Sequence, residues 1–308
     1  MTREAPFVSV VVPAHNEERD IGACLESLLA QDYPKDRYEV IVVDNASTDG
    51  TAARIAAYPV VCVAEVEGRS PAAARNRGLR EARGELVAFT DADCLAAPGW
   101  LRCGVAAFAH ERIGCVAGEI LGRPPRTLAQ RYVETRRMVS QGWAMTEAAR
   151  PFAQTANAFY RRSVLERLGA FDPALRIGED ADLSWRMQVR LGLEVAFCPS
   201  AVVAHQHPET VRELLRQRRG YGYASVVLSR RHQALVGRRG LKDTYRDAVA
   251  FARRLGRVAT ACGTCAAGRL RGRRSWEPVV MAGLDVCTYA CWKLGQLQGS
   301  LQYRVWYV

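Results

Sequence analysis

Short apolar runs alternate with amphipathic segments through the first hundred residues. Runs at 7–13, 38–44, 59–66 and 85–91 have the length and β-branched content of buried strands. The segments between them, at 16–31, 48–58 and 70–82, and a fourth at 98–111, place apolar residues at helical spacing. Asn16 is the expected cap of the first helix, and Ser70 before Pro71 is a strong start signal for the third. This alternation predicts a parallel sheet with helices on both faces.

The pattern is looser from about residue 114 to residue 204. It predicts strands at 114–120, 154–162, 194–199 and 201–207, and helices at 126–148 and 180–192. After Pro208 the chain reads as basic helical stretches, interrupted at 237–240 and at 268–274. We therefore divide the chain into 1–206, an α/β domain, and 207–308, a basic and mainly helical C-terminal region.

Charge follows the same division. Residues 205–308 hold 19 Lys and Arg against 6 Asp and Glu, a net charge of +13, whereas the first 204 residues hold 24 against 26, a net charge of −2. A basic region of this kind favours an anionic partner, either a membrane surface or a nucleic acid. It carries no recognisable nucleic-acid module, so we predict that nucleic acid is not a partner.

Composition narrows the class of protein further. The 308 residues are 49% hydrophobic and 24% charged, as in globular proteins. We expect no transmembrane helix, because no apolar run reaches the required length of roughly 18 residues, and the N-terminus does not read as a signal peptide. The 10 cysteines are scattered through apolar segments, which predicts reduced thiols and a cytoplasmic protein. Zinc at Cys262 with Cys265, or at Cys287 with Cys291, is disfavoured because no histidine supports either pair.

Aspartates follow two of the predicted strands. Asp44 ends the second strand, and Asp91 and Asp93, separated by one alanine in the stretch FTDADC, end the fourth. They could be ordinary turn residues. However, the carboxyl ends of parallel strands form one rim where ligands bind, and carboxylates there suit a divalent cation that also holds phosphates. No basic residue is close to this aspartate pair in the sequence.

Five motifs occur in a fixed order between residues 8 and 192: VSVVVPAHNEE, VIVVDNASTDGT, AAARNRGL, FTDADC and GEDADLSWRM. Together they resemble a family 2 glycosyltransferase of the GT-A fold, a Rossmann-like αβα sandwich with a mostly parallel sheet. The resemblance implies a transferase that takes a sugar from a nucleotide-sugar donor, with UDP-sugars favoured. It also implies Mn²⁺ or Mg²⁺ as cofactor.

The resemblance assigns most of the donor site to the strand rim. Asp44 would bind the nucleotide base, although Asn45 stands where the family has a second aspartate, so the identity of the base is open. Asp91 would contact the ribose or the sugar of the donor. Further substrate-binding positions implied by the resemblance are Pro13, Glu17, Arg75 and Glu179.

The metal site and the catalytic base are implied in the same way. Asp93, the second aspartate of the D-x-D motif, would bind the metal, and His205 would complete its ligands. Asp180 would be the general base that accepts the proton of the acceptor hydroxyl, giving a single displacement and an inverted product. The structural alternatives are a helix cap for Glu179 and Asp180, a strand end for His205 and a solvated helix face for Arg75.

The C-terminal region departs from the processive members of the family, which carry a Q-x-x-R-W motif. Residues 214–224 include Gln217 but no tryptophan, so we expect transfer of a single sugar to a saccharide, lipid-linked or natural-product acceptor. We also expect the protein to lie peripherally at the inner face of the membrane. The basic residues proposed for this contact are Arg212, Arg216, Arg218, Arg219, Arg230 and Arg231, and the apolar segment 277–295, interrupted by Asp285, follows them.

Two other functions are compatible with an αβα sheet or a basic C-terminal region. A sugar-nucleotide pyrophosphorylase would need a Gly-rich loop with a basic residue after the first strand, and PAHNEE contains neither. The remaining alternative is a nucleic-acid- or membrane-binding scaffold that retains a degenerate transferase domain. The intact acidic motifs argue against it.

Overall fold

The computed structural model describes residues 5–65, 67–68, 70–148, 150–237, 239–269, 275–305 and 307. The chain forms two compact units, the first comprising Met1–Pro124 with Arg137–Gln206 and the second Pro125–Arg136 with His207–Val308. The assignment of a catalytic role to 1–206 and of a contact role to 207–308 stays a prediction.

The first unit is built on one mixed sheet. Its strands are β1 (Val8–Ala14), β2 (Tyr38–Asp44), β3 (Val61–Ala64), β4 (Leu86–Thr90), β5 (Cys94–Ala96), β6 (Ile113–Gly122), β7 (Asn157–Arg161) and β8 (Glu194–His205). They are arranged in the order β3-β2-β1-β4-β7-β6-β8-β5. The first four are parallel, β7 is antiparallel to both of its neighbours, and β5 is antiparallel to β8. The predicted α/β class of fold, with a mostly parallel sheet, is confirmed.

Helices cover both faces of this sheet. They are α1 (Ile21–Leu29), α2 (Thr51–Ile55), α3 (Pro71–Glu81), α4 (Trp100–Ala106), α6 (Gln141–Thr146), α7 (Arg162–Leu168) and α8 (Glu179–Leu191). Alternate residues of β1 enter the two cores: Val10 and Val12 pack on the α1 side, and Val11 packs on the α3 side. This period of two is what a strand buried on both faces requires.

The second unit is helical. Its helices are α5 (Leu128–Thr135), α9 (Val211–Arg231), α10 (Gln233–Val236), α11 (Leu241–Arg269) and α12 (Glu277–Tyr303). A capping box starts α9, in which the Thr210 side chain accepts from the Glu213 N–H. Asp285 is buried on α12 and binds Arg136 and the Tyr132 hydroxyl. Among the described helices, none is long and apolar enough to cross a membrane.

Several predicted boundaries were wrong. Helix α1 begins at Ile21, and Asn16 is not its cap, because Asn16 adopts a left-handed conformation with φ of 57° and its side chain accepts from the Thr48 N–H. The segment 126–148 forms two helices, since Arg137 between them also has a positive φ of 47°. Helix α7 and strand β5 were not predicted.

The last predicted strands, 194–199 and 201–207, form a single strand, β8, from Glu194 to His205. Its pairing with β6 is irregular, because the register shifts between Gly118 and Glu119. Pro199 lies in the part of β8 that this shift leaves unpaired, which is where a strand tolerates proline. The predicted break at 237–240 lies between α10 and α11, whereas most of the second break, 270–274, lies outside the described residues.

Candidate active site

A cavity of about 250 Å³ opens at the carboxyl ends of β1 and β4. It is lined by Pro13, Ala14, His15, Glu17, Asn45, Pro71, Arg75, Asp91, Ala92 and Asp93. Five of the predicted site residues therefore share one cavity, although they are spread over 80 positions of the chain. The position matches the rule that ligands of open α/β sheets bind beyond the carboxyl ends of the strands.

Arg75 is the centre of a buried ion cluster at this cavity. Its guanidinium donates to Asp91 Oδ1 at 2.8 Å and to Glu179 Oε1 at 2.7 Å, and the side chain is 4% exposed. The charge of Asp91 is thus balanced by Arg75, which lies 16 residues earlier in the sequence. The predicted alternative of a solvated helix face is wrong for Arg75, because burial and two carboxylates fix it.

Helix α3 carries Arg75 to the rim. The helix starts as predicted, with the Ser70 side chain accepting from the Ala73 N–H and Pro71 at the first position. One turn further on, a Cβ at Gly78 would lie 2.5 Å from Val11 Cγ1, so only glycine lets α3 approach β1 this closely. The close approach places the guanidinium between the two carboxylates.

Asp93 and His205 lie together although 111 residues separate them in the sequence. Strand β5 pairs with β8 so that Cys94 is opposite His205, which brings His205 Nε2 to 3.5 Å from Asp93 Oδ2. Among the described residues, Asp93, Cys94 and His205 form the cluster whose donor atoms could hold a metal ion. Burial raises the pKa of the Cys94 thiol well above its ordinary value, so the thiol is protonated when no metal is bound.

The carboxylates of the cavity repel one another. Burial, together with the negative charges of Asp93 and Asp20, raises the pKa of Glu17 to about 8. Burial also raises the pKa of Asp93, and the charge of Asp91 adds to this effect while His205 opposes it. A cation would relieve this repulsion, and a carboxylate with an imidazole is a donor set that Mn²⁺ accepts. The residues present therefore fit a divalent cation held by Asp93 and His205.

Asp180 follows Glu179 in the first turn of α8. Gly178 precedes the helix with φ of 84°, a conformation that disfavours other residues, and it turns the chain so that both carboxyl groups start the helix. Burial and the neighbouring Glu179 charge raise the pKa of Asp180 to about 7. A carboxylate of this pKa can accept a proton near neutral pH. The next acidic residue, Asp182, is instead paired with Arg186 at 2.8 Å.

Asp44 has a local structural contact. Its Oδ1 accepts from the Ser47 N–H at 3.1 Å, as in an Asx turn, and the side chain is half-buried. The neighbouring Asn45 lines the cavity and donates to the Ser70 carbonyl at 3.4 Å. The role of Asp44 in binding a base stays a prediction.

Arg123 was missed by the sequence analysis. It follows β6, pairs with Asp20, and donates its backbone N–H to the His205 carbonyl. Its side chain is 16% exposed, and its Nε and Nη2 atoms are buried without a hydrogen-bond partner among the described residues. Its charge lowers the pKa of Asp93. No motif marked this arginine, because its position depends on the pairing of β6 with β8.

A mixed sheet of this topology, with an acidic rim and an acidic helix start beyond it, defines a GT-A glycosyltransferase. The family model "Glycosyl transferase family 2" matches residues 9–169, and the chain belongs to that family. The protein is therefore a glycosyltransferase.

Two proteins of similar sequence are also named as glycosyltransferases. The chain is 33% identical over 213 residues to the glycosyltransferase AglE of Haloferax volcanii, covering 67% of this chain and 68% of that protein. It is 31% identical over 232 residues to the probable glycosyltransferase YdaM of Bacillus subtilis, covering 70% of this chain but 54% of that one.

Solved structures show the same fold. The mannosyltransferase PcManGT of Pyrobaculum calidifontis, in complex with GDP-Man and Mn²⁺, is 24% identical with a TM-score of 0.61, covering 92% of this chain and 86% of that one. The glucosyl-3-phosphoglycerate synthase of Mycobacterium tuberculosis, in complex with Mn²⁺, UDP and glucosyl-3-phosphoglycerate, is 27% identical. Its TM-score is 0.54, covering 73% of this chain and 80% of that one.

Proposed function

We propose that the protein transfers one sugar from a nucleotide-sugar donor to an acceptor hydroxyl, with a divalent cation and with inversion at the anomeric carbon. The observation that carries this proposal is the bridge that Arg75 makes between Asp91 on the strand rim and Glu179 on α8. The bridge fixes a donor-holding carboxylate next to the pair that contains the base.

The donor is held at the rim. Asp91 accepts hydrogen bonds from the ribose or sugar, and Pro13 and Glu17 form the wall of the cavity beside it. Asp93 and His205 would hold Mn²⁺ or Mg²⁺. The cation would supply positive charge to the diphosphate as it leaves. We assign Arg123 to the same diphosphate, because its charge lowers the pKa of Asp93 and its Nε and Nη2 have no hydrogen-bond partner among the described residues.

The acceptor is activated by Asp180. Its raised pKa lets it take the hydroxyl proton as the oxygen attacks, and one base opposite the leaving group gives a single in-line displacement. We propose a saccharide, a lipid-linked sugar or a natural product as the acceptor. We favour a UDP-sugar as donor, since the 27% identical neighbour binds UDP.

The test is a thermal-shift comparison of UDP, GDP and dTDP, each with Mn²⁺ and with EDTA. A ligand that binds the native state raises its stability by mass action. We expect the preferred diphosphate to shift the unfolding temperature only with Mn²⁺, and Asp93→Ala to abolish that shift. Asp36→Ala, at an exposed aspartate outside the cavity, is the matched control. Equal shifts in EDTA and Mn²⁺ would remove the metal from the proposal.

We also propose that the basic C-terminal region contacts an anionic membrane surface. Several arginines of the predicted set, including Arg212, Arg216 and Arg230, lie exposed on α9. Leu214, Val226 and Val227 of that helix are buried, whereas Tyr221 is exposed. Contact through α9 alone would rest mainly on charge.

A further inference from the structure

The outward side of α11 carries a continuous apolar row. Its members recur at alternating spacings of four and three residues, and every one of them is exposed: Leu241, Tyr245, Ala248, Ala252, Leu255, Ala259, Cys262 and Ala266. Such spacing places side chains on one face of a helix over its full length. We call this set the α11 apolar row.

A different face of α11 binds α12. Lys293 Nζ on α12 pairs with Asp247 at 2.8 Å, and the Tyr289 hydroxyl donates to the Asp247 carbonyl at 3.0 Å. The Arg254 guanidinium stacks over the Tyr289 ring at 4.2 Å. Because Asp247 and Arg254 are seven residues apart on one side of the helix, these contacts fix which side faces α12 and leave the α11 apolar row in solvent.

Exposed hydrophobic side chains are concentrated in this part of the protein. Of the fifteen large hydrophobic residues exposed in the described chain, nine lie between Leu241 and Leu301. Helix α12 adds an exposed row at a spacing of seven: Val280, Cys287, Leu294 and Leu301. Scattered exposed hydrophobics need no explanation, but a concentration of this kind marks an interaction surface.

Cations flank the α11 apolar row. Lys242, Arg246 and Arg253 are exposed and lie along one side of it. Of the acidic residues of α11, Asp247 is half-buried in its pair with Lys293 and Arg239. Asp243 lies within 3.8 Å of Arg246 and offsets part of its charge. Three cations against one anion leave the flank cationic beside an apolar surface.

We propose that α11 lies in the plane of an anionic lipid bilayer, with the α11 apolar row in the interface and Lys242, Arg246 and Arg253 on lipid phosphates. This rests on the membrane contact proposed above and names the surface that makes it. A polar and basic face beside a weakly hydrophobic one is what in-plane helices have. Twenty-nine residues extend about 43 Å along the surface.

A second copy of the chain is the other candidate occupant of this face. It fits less well, since a symmetric contact would bring the cationic flanks of two α11 helices together, and like charges across an interface disfavour pairing. The row is also rich in alanine, which gives a helix pair little to interlock. Anionic lipid complements the charge and does not need interlocking side chains.

The test is flotation of the unmodified protein with vesicles of phosphatidylcholine alone or with phosphatidylglycerol. We expect binding that requires phosphatidylglycerol and weakens at high salt. Each cation near an anionic surface contributes about fivefold to partitioning, so the triple variant K242Q/R246Q/R253Q should bind roughly 100-fold more weakly. The variant L241S/Y245S/L255S should lose binding while keeping its unfolding temperature, because these side chains are exposed.

Two control sets separate the possible outcomes. Leu121→Ser with Val189→Ser removes exposed hydrophobics from the first unit and should leave flotation unchanged. Arg212→Gln with Arg216→Gln should reduce it only modestly. Loss of flotation in the α9 variant with none in the α11 variants would overturn the α11 surface but keep the membrane contact. Absence of flotation in the unmodified protein would overturn both.

Two further results bear on the surface. Sedimentation velocity without lipid should show no dimer that L241S/Y245S/L255S dissociates; such a dimer would assign the α11 apolar row to a second copy. Release of nucleoside diphosphate from the donor in solution should be the same in all these variants. A failure of membrane binding would thus be distinguished from a failure of the proposed catalysis.

Discussion

Asp91 and Asp93 show how differently two neighbouring aspartates can be used. Asp91 is paired with Arg75, so its charge is balanced inside the protein. Asp93 faces His205 and has a raised pKa because it is buried near Asp91, so a bound cation would stabilise its ionised form. The alanine between them, 2% exposed, anchors the turn that separates the two environments. One aspartate suits positioning and the other suits metal binding.

Arg123 gives the first prediction at the scale of a residue. Replacing Arg123 with Gln removes a charge and the N–H groups that we assign to the diphosphate. Hydrogen bonds to charged groups contribute about 1.5–3 kcal/mol, so the dissociation constant of the diphosphate with Mn²⁺ should rise about 10- to 100-fold. Isothermal titration would measure it.

The control for Arg123→Gln is Arg102→Gln, at an arginine that pairs with an aspartate on the surface. If Arg123 serves only to pair with Asp20, its variant should lower the unfolding temperature and leave the dissociation constant of the diphosphate as it was. That result would exclude Arg123 from the donor site.

The raised pKa of Asp180 gives a prediction about pH. The base acts only when ionised, so turnover at saturating donor should fall as the pH drops through about 7, far above the ordinary range of an aspartate. Glu179→Gln removes a neighbouring negative charge that raises this pKa, so the fall should move to lower pH. A pH profile of turnover for both proteins would measure it. An unshifted profile in the variant would mean that another group controls the proton transfer.

At the scale of elements, the packing of α9 on α12 depends on glycines. A Cβ at Gly295 would lie 1.9 Å from the Arg219 carbonyl oxygen, and one at Gly222 would lie 1.9 Å from the Trp292 carbonyl oxygen. The helices therefore meet backbone to backbone at these points. Several apolar residues of α9 are buried in the same unit, and most of its arginines are exposed.

Gly295→Ala should destabilise the protein by about 1–3 kcal/mol, because the added methyl group overlaps backbone that must move. Gly283→Ala is the matched control on the same helix, since a Cβ added there would have no described atom within 4 Å. There the better helix propensity of alanine should stabilise by up to about 1 kcal/mol. Urea unfolding followed by circular dichroism would measure both. Equal effects of the two substitutions would contradict the close packing of α9 on α12.

The sequence predicted those elements whose signals are local. Strands β1, β2 and β4 were found because each is an apolar run buried on both faces, and α3 was found from Ser70 and Pro71. The start of α1 was wrong, since the Asn16 side chain binds the loop at Thr48 and not its own helix. Strand β5 has three residues and no period to detect; it exists through its pairing with β8.

Some residues of the candidate site were marked by sequence motifs, and others were not. Asp91, Asp93 and Glu179 were marked by motifs. No motif marked the ion pairs of Arg75 with two carboxylates or the position of Arg123. Both depend on contacts between elements that are far apart in the chain. His205 was marked by resemblance alone, and its approach to Asp93 follows from the β5–β8 register.

At the scale of the whole molecule, two parts of the first unit would carry two separate tasks. The rim of the parallel strands holds the donor, and the start of α8 supplies the base. If this separation is correct, a change at one part should leave the task of the other intact. Asp93→Ala should weaken donor binding, whereas Asp180→Asn should leave donor binding unchanged and remove proton transfer.

The measurement that tests the account most directly is turnover of Asp180→Asn at saturating nucleotide sugar, with donor affinity measured in parallel. Asparagine keeps the size of the side chain and caps a helix as well as aspartate does, but it cannot take the proton. Loss of a general base costs about 10²–10⁴ in rate, so turnover should fall by that factor while the dissociation constant of the donor stays the same. Turnover near that of the unmodified protein would contradict the account and remove Asp180 from the mechanism.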